Sequence, residues 1–136
     1  PDNTTQNTAY TSVVYDTANA AFDKANTAAG LIPQNSQDLS YTLQLSDAGK
    51  HIYSTNSTTQ LVNIPNNGSV SWPVGSSIML VLQGSGTMNV VPQTGITMYM
   101  ANNSTAKSYA NLASYGMATL LNVGANTWFI NGAGVS

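Results

Sequence analysis

The stretch SIMLVLQGSGTMNVV, residues 77–91, decides the fold class of this chain. It contains the longest apolar run, IMLVL, followed by the turn sequence GSG and by a second segment rich in β-branched residues. A short apolar run that ends at glycine is typical of a buried strand, so we predict two strands joined by a hairpin turn. The GSG sequence is not a phosphate-binding loop, because no Lys and no helical pattern follow it.

Strand signals of the same kind extend in both directions from this stretch. The alternation in LSYTLQL, residues 39–45, places Leu39, Tyr41, Leu43 and Leu45 on one face of a strand. HIYS, QLVNI and GITMYMA follow, and MATLLNV with TWFIN across GAN (124–126) predicts a closing hairpin. Residues 105–116 are predicted as coil with a short strand. About eight short strands between turns predict a mainly β domain, an antiparallel β-sandwich or a barrel-like fold.

A repeated seven-residue pattern, YDTANAAFDKANTA at residues 15–28, predicts a short N-terminal helix. Its apolar stripe consists of Tyr15, Ala18, Phe22, Ala25 and Ala29. Gly30 supplies the stop and Pro33 follows it. The helix either packs on its own domain or forms a parallel coiled-coil neck. We therefore divide the chain into a lead-in and neck (1–30), a linker (31–39) and a β head (40–136).

Composition excludes several classes of protein. The 136 residues amount to one domain, and only 6% of them are charged, with a net charge of −2. Without a basic patch, neither nucleic acid nor membrane insertion is expected. No Cys is present, so disulfides and Cys-ligated metals are excluded, and no apolar run is long enough to span a bilayer. The start at Pro1 without Met suggests a fragment or a processed product.

The residues that could carry chemistry are few, so we predict no enzyme, no cofactor and no metal. All five acidic residues are Asp, which leaves the β domain without a carboxylate pair for glycoside hydrolysis. His51 is the only His, and its distance of four positions from Asp47 is weak support for catalysis. Three copies of His51 on a symmetry axis could hold a metal. We expect Tyr41 and Trp128 in the core, and we predict ligand contacts at Tyr53, Tyr99, Tyr109 and Tyr115.

Three segments together resemble a C-terminal β domain of bacteriophage tail-fibre and other virion-appendage proteins. The shared landmarks are Tyr-Thr-Leu-x-Leu-x-Asp-Ala-Gly-Lys, a Pro-bounded turn, Pro-Val-Gly before an apolar strand, a Gly-x-Gly turn and a final Gly-x-Asn-x-Trp hairpin. They stand in the segments YTLQLSDAGKHI, VSWPVGSSIMLVLQGSGTMNVVPQTGITM and ATLLNVGANTWFINGAG, and the resemblance covers about residues 40–134. The segment ANAAFDKANTA is similar to the Ala/Asn heptads of helical stalks in phage fibre-like proteins.

The resemblance implies a homotrimeric structural protein on the surface of a virion. It would contact other virion proteins and either bind a glycan or protein of the host surface or decorate the capsid. The family pattern contains no catalytic residues to transfer. The alternative is a non-catalytic carbohydrate-binding or adhesion module of a bacterial surface protein. A polysaccharide-degrading enzyme is the third reading, and the absence of Glu argues against it.

Overall fold

The computed structural model describes residues 16–25 and 30–136, which fall into two compact units, Pro1–Ile32 and Pro33–Ser136. The first unit contains a helix, α1, over residues 16–25, which confirms the short N-terminal helix. Its described side chains are all exposed, and Phe22 is 68% exposed. Ala18 and Ala25 also lie on α1, whereas Tyr15 and Ala29 lie outside the described residues. Among residues 16–25 and 30–136, no helix is long and apolar enough to cross a membrane.

The second unit is a single sheet of nine strands, which confirms the mainly β prediction. A 3-10 turn at Leu45–Asp47 separates the second strand from the third. The sheet begins inside the segment that the sequence suggested as a linker. The strands are β1 (Gln34–Ser36), β2 (Tyr41–Thr42), β3 (His51–Ser54), β4 (Thr59–Ile64), β5 (Ser77–Leu82), β6 (Thr87–Pro92), β7 (Thr97–Met100), β8 (Ala110–Gly124) and β9 (Thr127–Val135).

The chain alternates between two halves of this sheet. Strands β1, β3 and β5 are parallel neighbours in one half, here called the odd wing. The second part of β8, from residue 117, together with β9 and β7, completes this wing. Strands β2, β4 and β6 are parallel neighbours in the other half, the even wing. With β7 beside β9, five of the eight strand pairings are parallel, so the prediction of an antiparallel fold is wrong. From β3 to β6, each strand pairs with the strand two positions earlier, because this part of the chain winds around the core instead of folding into hairpins.

The long strand β8 joins the two wings and gives the sheet its curl. Residues 110–112 pair antiparallel with β6, whereas residues 117–121 pair antiparallel with β5. The bend lies between them, where Tyr115 has a φ of 57°. Strand β9 then returns along β8, so the closing hairpin is confirmed, with Asn126 at a φ of 57° in its turn. The strand in 105–116 is longer than predicted.

The GSG sequence does not form a hairpin, because β5 and β6 are not paired. Instead it runs alongside the connection between β3 and β4 at close range, with the Gly86 N–H donating to the Asn56 carbonyl at 3.1 Å. A Cβ at Gly86 would lie 2.0 Å from the Thr58 carbonyl oxygen, and one at Gly84 would lie 1.9 Å from that of Asn56. The glycines therefore permit two connections to stack, which is a different role from the predicted one.

One cluster of buried apolar side chains from both wings forms the core. Trp72 and Trp128 pack edge to face in it with ring centroids 5.2 Å apart, which confirms Trp128 as a core residue. Tyr41 packs against the cluster but is only partly buried. The single strand predicted over 39–45 is wrong, since Leu39 is 79% exposed and Leu45 lies in the 3-10 turn, 48% exposed. Only Leu43 of the three leucines is buried.

Candidate functional site

The connection between β7 and β8, residues 101–109, folds back over β7 and borders two cavities. The Lys107 N–H donates to the Met98 carbonyl at 2.8 Å, and Ala106 forms an antiparallel bridge with Tyr99. At the tip of the loop, Asn102 takes a φ of 62°, a conformation that Asn tolerates better than most residues. The Thr105 N–H donates to the Asn103 side-chain oxygen at 2.9 Å. These bonds fix the loop, so it presents its polar side chains on a defined backbone.

The first cavity, here called the Lys107 groove, has a volume of about 650 Å³ and lies on the outer face of the even wing. Its floor includes Asn89 and Asn111, which are directly opposite each other on β6 and β8. Lys107 is half-buried at its wall, and Tyr109 is 56% exposed. The lining is completed by Thr87, Thr105, Ala106, Ser108 and Ser136. Among the described residues, no ion pair forms at Lys107 and no hydrogen bond at the Asn89 or Asn111 amide.

The second cavity, of about 590 Å³, lies at the outer face of the odd wing. Tyr99 and Phe129 are opposite each other on β7 and β9, with ring centroids 5.4 Å apart and planes tilted by 37°. Asn102, Asn103 and Ser104 complete the lining. An aromatic pair next to amides can stack on an apolar ring face while the amides bond to polar substituents.

The outer face of the odd wing is the largest feature that the sequence did not indicate. Alternate residues of β3, β5, β8, β9 and β7 project away from the core, and most of them are apolar. Met117 is 50% exposed, Leu121 40% and Phe129 39%. No Asp or Lys stands among these outward positions in the described strands, but strand register places the polar residues His51, Thr119 and Asn131 in one row across the face. This odd-wing face consists of Tyr53, Met79, Val81, Tyr99, Met117, Leu121, Val123 and Phe129.

The structure does not bring the four predicted ligand tyrosines together. Tyr99 borders the second cavity and Tyr109 the Lys107 groove, both beside the 101–109 loop. Tyr53 is half-buried, and its hydroxyl donates to the Gln83 side chain. Tyr115 is 79% exposed at the bend of β8 and lines neither cavity. The sequence missed Phe129, Asn89 and Asn111, because only strand register brings them beside the loop.

Asp47 is buried in a hydrogen-bond network that accounts for both of its carboxylate oxygens. It accepts from the Asn35 amide at 2.8 Å, from the Tyr41 hydroxyl at 2.9 Å and from the Gln44 N–H at 2.8 Å. Burial raises the pKa of the Tyr41 hydroxyl above its ordinary value, and the bond to Asp47 raises this pKa further. The network ties β1 and β2 to the 3-10 turn, so the Asp47 carboxylate holds local structure together.

The His51 Nε2 atom lies 3.1 Å from the Gln34 side-chain oxygen. Within residues 16–25 and 30–136, no group of three or more His, Cys, Asp or Glu side chains is placed to hold a metal ion.

Comparison of the chain with protein-family models, with curated proteins and with solved structures finds no match.

Proposed function

We propose that this chain is a structural protein of a bacteriophage virion, a non-enzymatic homotrimeric fibre or appendage. Its sandwich- or barrel-like head would bind the host surface or decorate the particle. The observation that carries the proposal is the odd-wing face, where exposed apolar side chains outnumber polar ones and no Asp or Lys stands. The resemblance of about residues 40–134 to virion-appendage domains supplies the biological setting.

Exposed apolar side chains grouped on one face of a sheet are unusual on a monomer. Fully burying one Leu, Met or Phe contributes about 1.5–3 kcal/mol, so covering the half that remains exposed contributes about 1 kcal/mol per side chain. Met117, Leu121 and Phe129 each retain 39–50% exposure. Three copies that turn this face toward a common axis would remove it from water. The absence of Asp and Lys means that no ion has to be desolvated in the process.

The helix α1 supports self-association for a separate reason. Its described residues include Thr17, Asn19 and two Asp, which are weaker helix formers than Ala, and short isolated helices are marginal in water. Every described side chain of α1 is exposed, including the aromatic ring of Phe22. Helices from other copies of the chain would cover the stripe of Ala18, Phe22 and Ala25. This is the coiled-coil neck that the heptad pattern predicts.

A second candidate is a carbohydrate-binding or adhesion module of a bacterial surface protein. The Tyr99–Phe129 pair beside Asn102 and Asn103 favours it, because flat rings and amides are the groups that contact saccharides. Such a module binds its ligand without needing three copies. The oligomeric state therefore separates the two functions.

Light scattering on the purified chain tests the proposal. We expect three times the chain mass of 14.2 kDa. Leu121→Lys should lower that mass, because it puts a charge on the odd-wing face. Leu61→Lys is the matched control, since Leu61 is also 40% exposed but lies on the outer face of the even wing. A monomeric parent chain would refute the trimer, and equal effects of the two substitutions would refute the assigned face.

A further inference from the structure

The Lys107 groove has the chemistry of a binding site for a small polar ligand. Its floor is a pair of Asn side chains held side by side by strand register, and each amide offers two donors and an acceptor. In the described part of the chain these amides bond to no protein group. Adjacent amides of this kind complement the neighbouring hydroxyls of a sugar ring. The ring of Tyr109, 56% exposed, supplies a flat apolar surface at the same groove.

Lys107 adds a charge requirement to this polar lining. It is one of only three Lys residues in the chain, and it makes no ion pair among the described residues. No Asp lines the groove. A ligand that covers the Lys107 ammonium without offering a negative group would remove water from this charge without replacing the lost hydration. A ligand with one anionic group would instead form a charge-assisted hydrogen bond there.

We propose that the Lys107 groove binds an acidic saccharide through its ring hydroxyls and one anionic group. This deepens the proposed function, because it names the class of host-surface ligand that the head would contact. Asn89 and Asn111 bond to hydroxyls, Tyr109 stacks on the ring face, and Lys107 pairs with the carboxylate or phosphate. A long polyanion such as nucleic acid is disfavoured, since a single cation cannot neutralise its successive charges.

The groove lies on the even wing, whereas the proposed trimer face is on the odd wing. The groove is lined by β6, the first part of β8 and residues 105–109, and these residues pair with β7, so the groove adjoins one edge of the odd-wing face. Assembly through the β5 and β8 part of the odd-wing face would leave Asn89 and Asn111 in the groove open. Each copy in a trimer would present one groove, so weak individual sites would act together on a polymeric ligand.

The test is an array of short oligosaccharides carrying uronic acid, sialic acid or phosphate groups, each printed beside its neutral ester or unsubstituted form. We expect an acidic member to bind about 10- to 100-fold more tightly than its neutral partner, since one charge-assisted bond is worth that factor. The Lys107→Gln variant should reduce the acidic form to the level of the neutral one. The Tyr109→Ala variant should weaken both forms.

Lys24→Gln on α1 is the control, because it removes the same charge from an exposed site outside the groove. Binding to no member at millimolar concentration, equal binding of acidic and neutral forms, or equal losses in Lys107→Gln and Lys24→Gln would each overturn the inference. Light scattering on the same samples separates it from the proposed function. A trimer without saccharide binding refutes only the groove, whereas a monomer that binds through Lys107 refutes only the trimer.

Discussion

Replacing Gly86 with Ala tests the winding of the chain directly. The new methyl carbon would lie 2.0 Å from the Thr58 carbonyl oxygen, where ordinary contact begins near 3.4 Å, so the stacked connections must move apart by more than 1 Å. That movement disrupts two hydrogen bonds, Gly86 N–H to Asn56 at 3.1 Å and Thr87 N–H to Thr58 at 3.2 Å. Each bond contributes about 1 kcal/mol, and strain from overpacking adds about 1–3 kcal/mol. We expect a loss of about 3–5 kcal/mol in the free energy of unfolding.

Urea unfolding followed by circular dichroism measures this loss, and a decrease in the midpoint of about 1–3 M is expected. Gly124→Ala is the matched control, because its Cβ would meet only the Thr127 side chain, at 4.0 Å. We expect that control to stay within about 0.5 kcal/mol of the parent chain. If Gly86→Ala were equally mild, the connections would not be stacked and GSG would be the hairpin turn that its sequence suggests.

Three further perturbations test separate parts of the structure. Asn122→Leu should raise the free energy of unfolding by about 1–2 kcal/mol, because both polar atoms of this buried amide lack partners among the described residues. Urea titration measures this change, and a lower free energy of unfolding would contradict the prediction. Tyr41→Phe should cost about 1–3 kcal/mol at pH 7 through the lost bond to Asp47. Since folding raises the pKa of Tyr41, its contribution is complete below pH 10 and is lost as pH rises through the folded value, so parent and variant should converge in alkaline urea titrations. Phe22→Ser should lower the trimer mass in light scattering at low concentration, and an unchanged mass would remove α1 from the interface.

The fold class followed from the sequence because strand length and turn residues are local signals. The strand pairing could not be predicted from the sequence. A GSG sequence between two apolar runs looks the same whether it closes a hairpin or stacks beside a neighbouring connection. The contact that distinguishes the two, between Gly86 and Thr58, joins residues far apart in the chain. Leu39 and Leu45 were misplaced for a related reason. The Asp47 carboxylate caps a 3-10 turn beginning at Leu45, and this turn ends the alternation of the strand.

The candidate site was predictable only in part. The sequence indicated Tyr99 from its place near a strand end and Tyr109 from the uncertain segment 105–116, and both residues border cavities. Asn89 and Asn111 are 22 positions apart and become neighbours only through the antiparallel register of β6 and β8. The sequence contains no sign of that register, because β8 is a single strand that serves both wings. The same strand pattern that supplies the core therefore also creates the groove.

The two wings share one core but differ in the residues on their outer faces. This difference fits the two proposed roles, self-association and ligand binding. Outward positions of β4, β6 and the first part of β8 are mostly Thr and Asn, whereas those of β5 and the second part of β8 are mostly apolar. A winding chain that alternates between wings can vary one outer face without disturbing the other, because consecutive strands lie on different sides of the core. Self-association through the apolar face and ligand binding through the polar face are therefore compatible, and substitutions on one face should leave the function of the other intact.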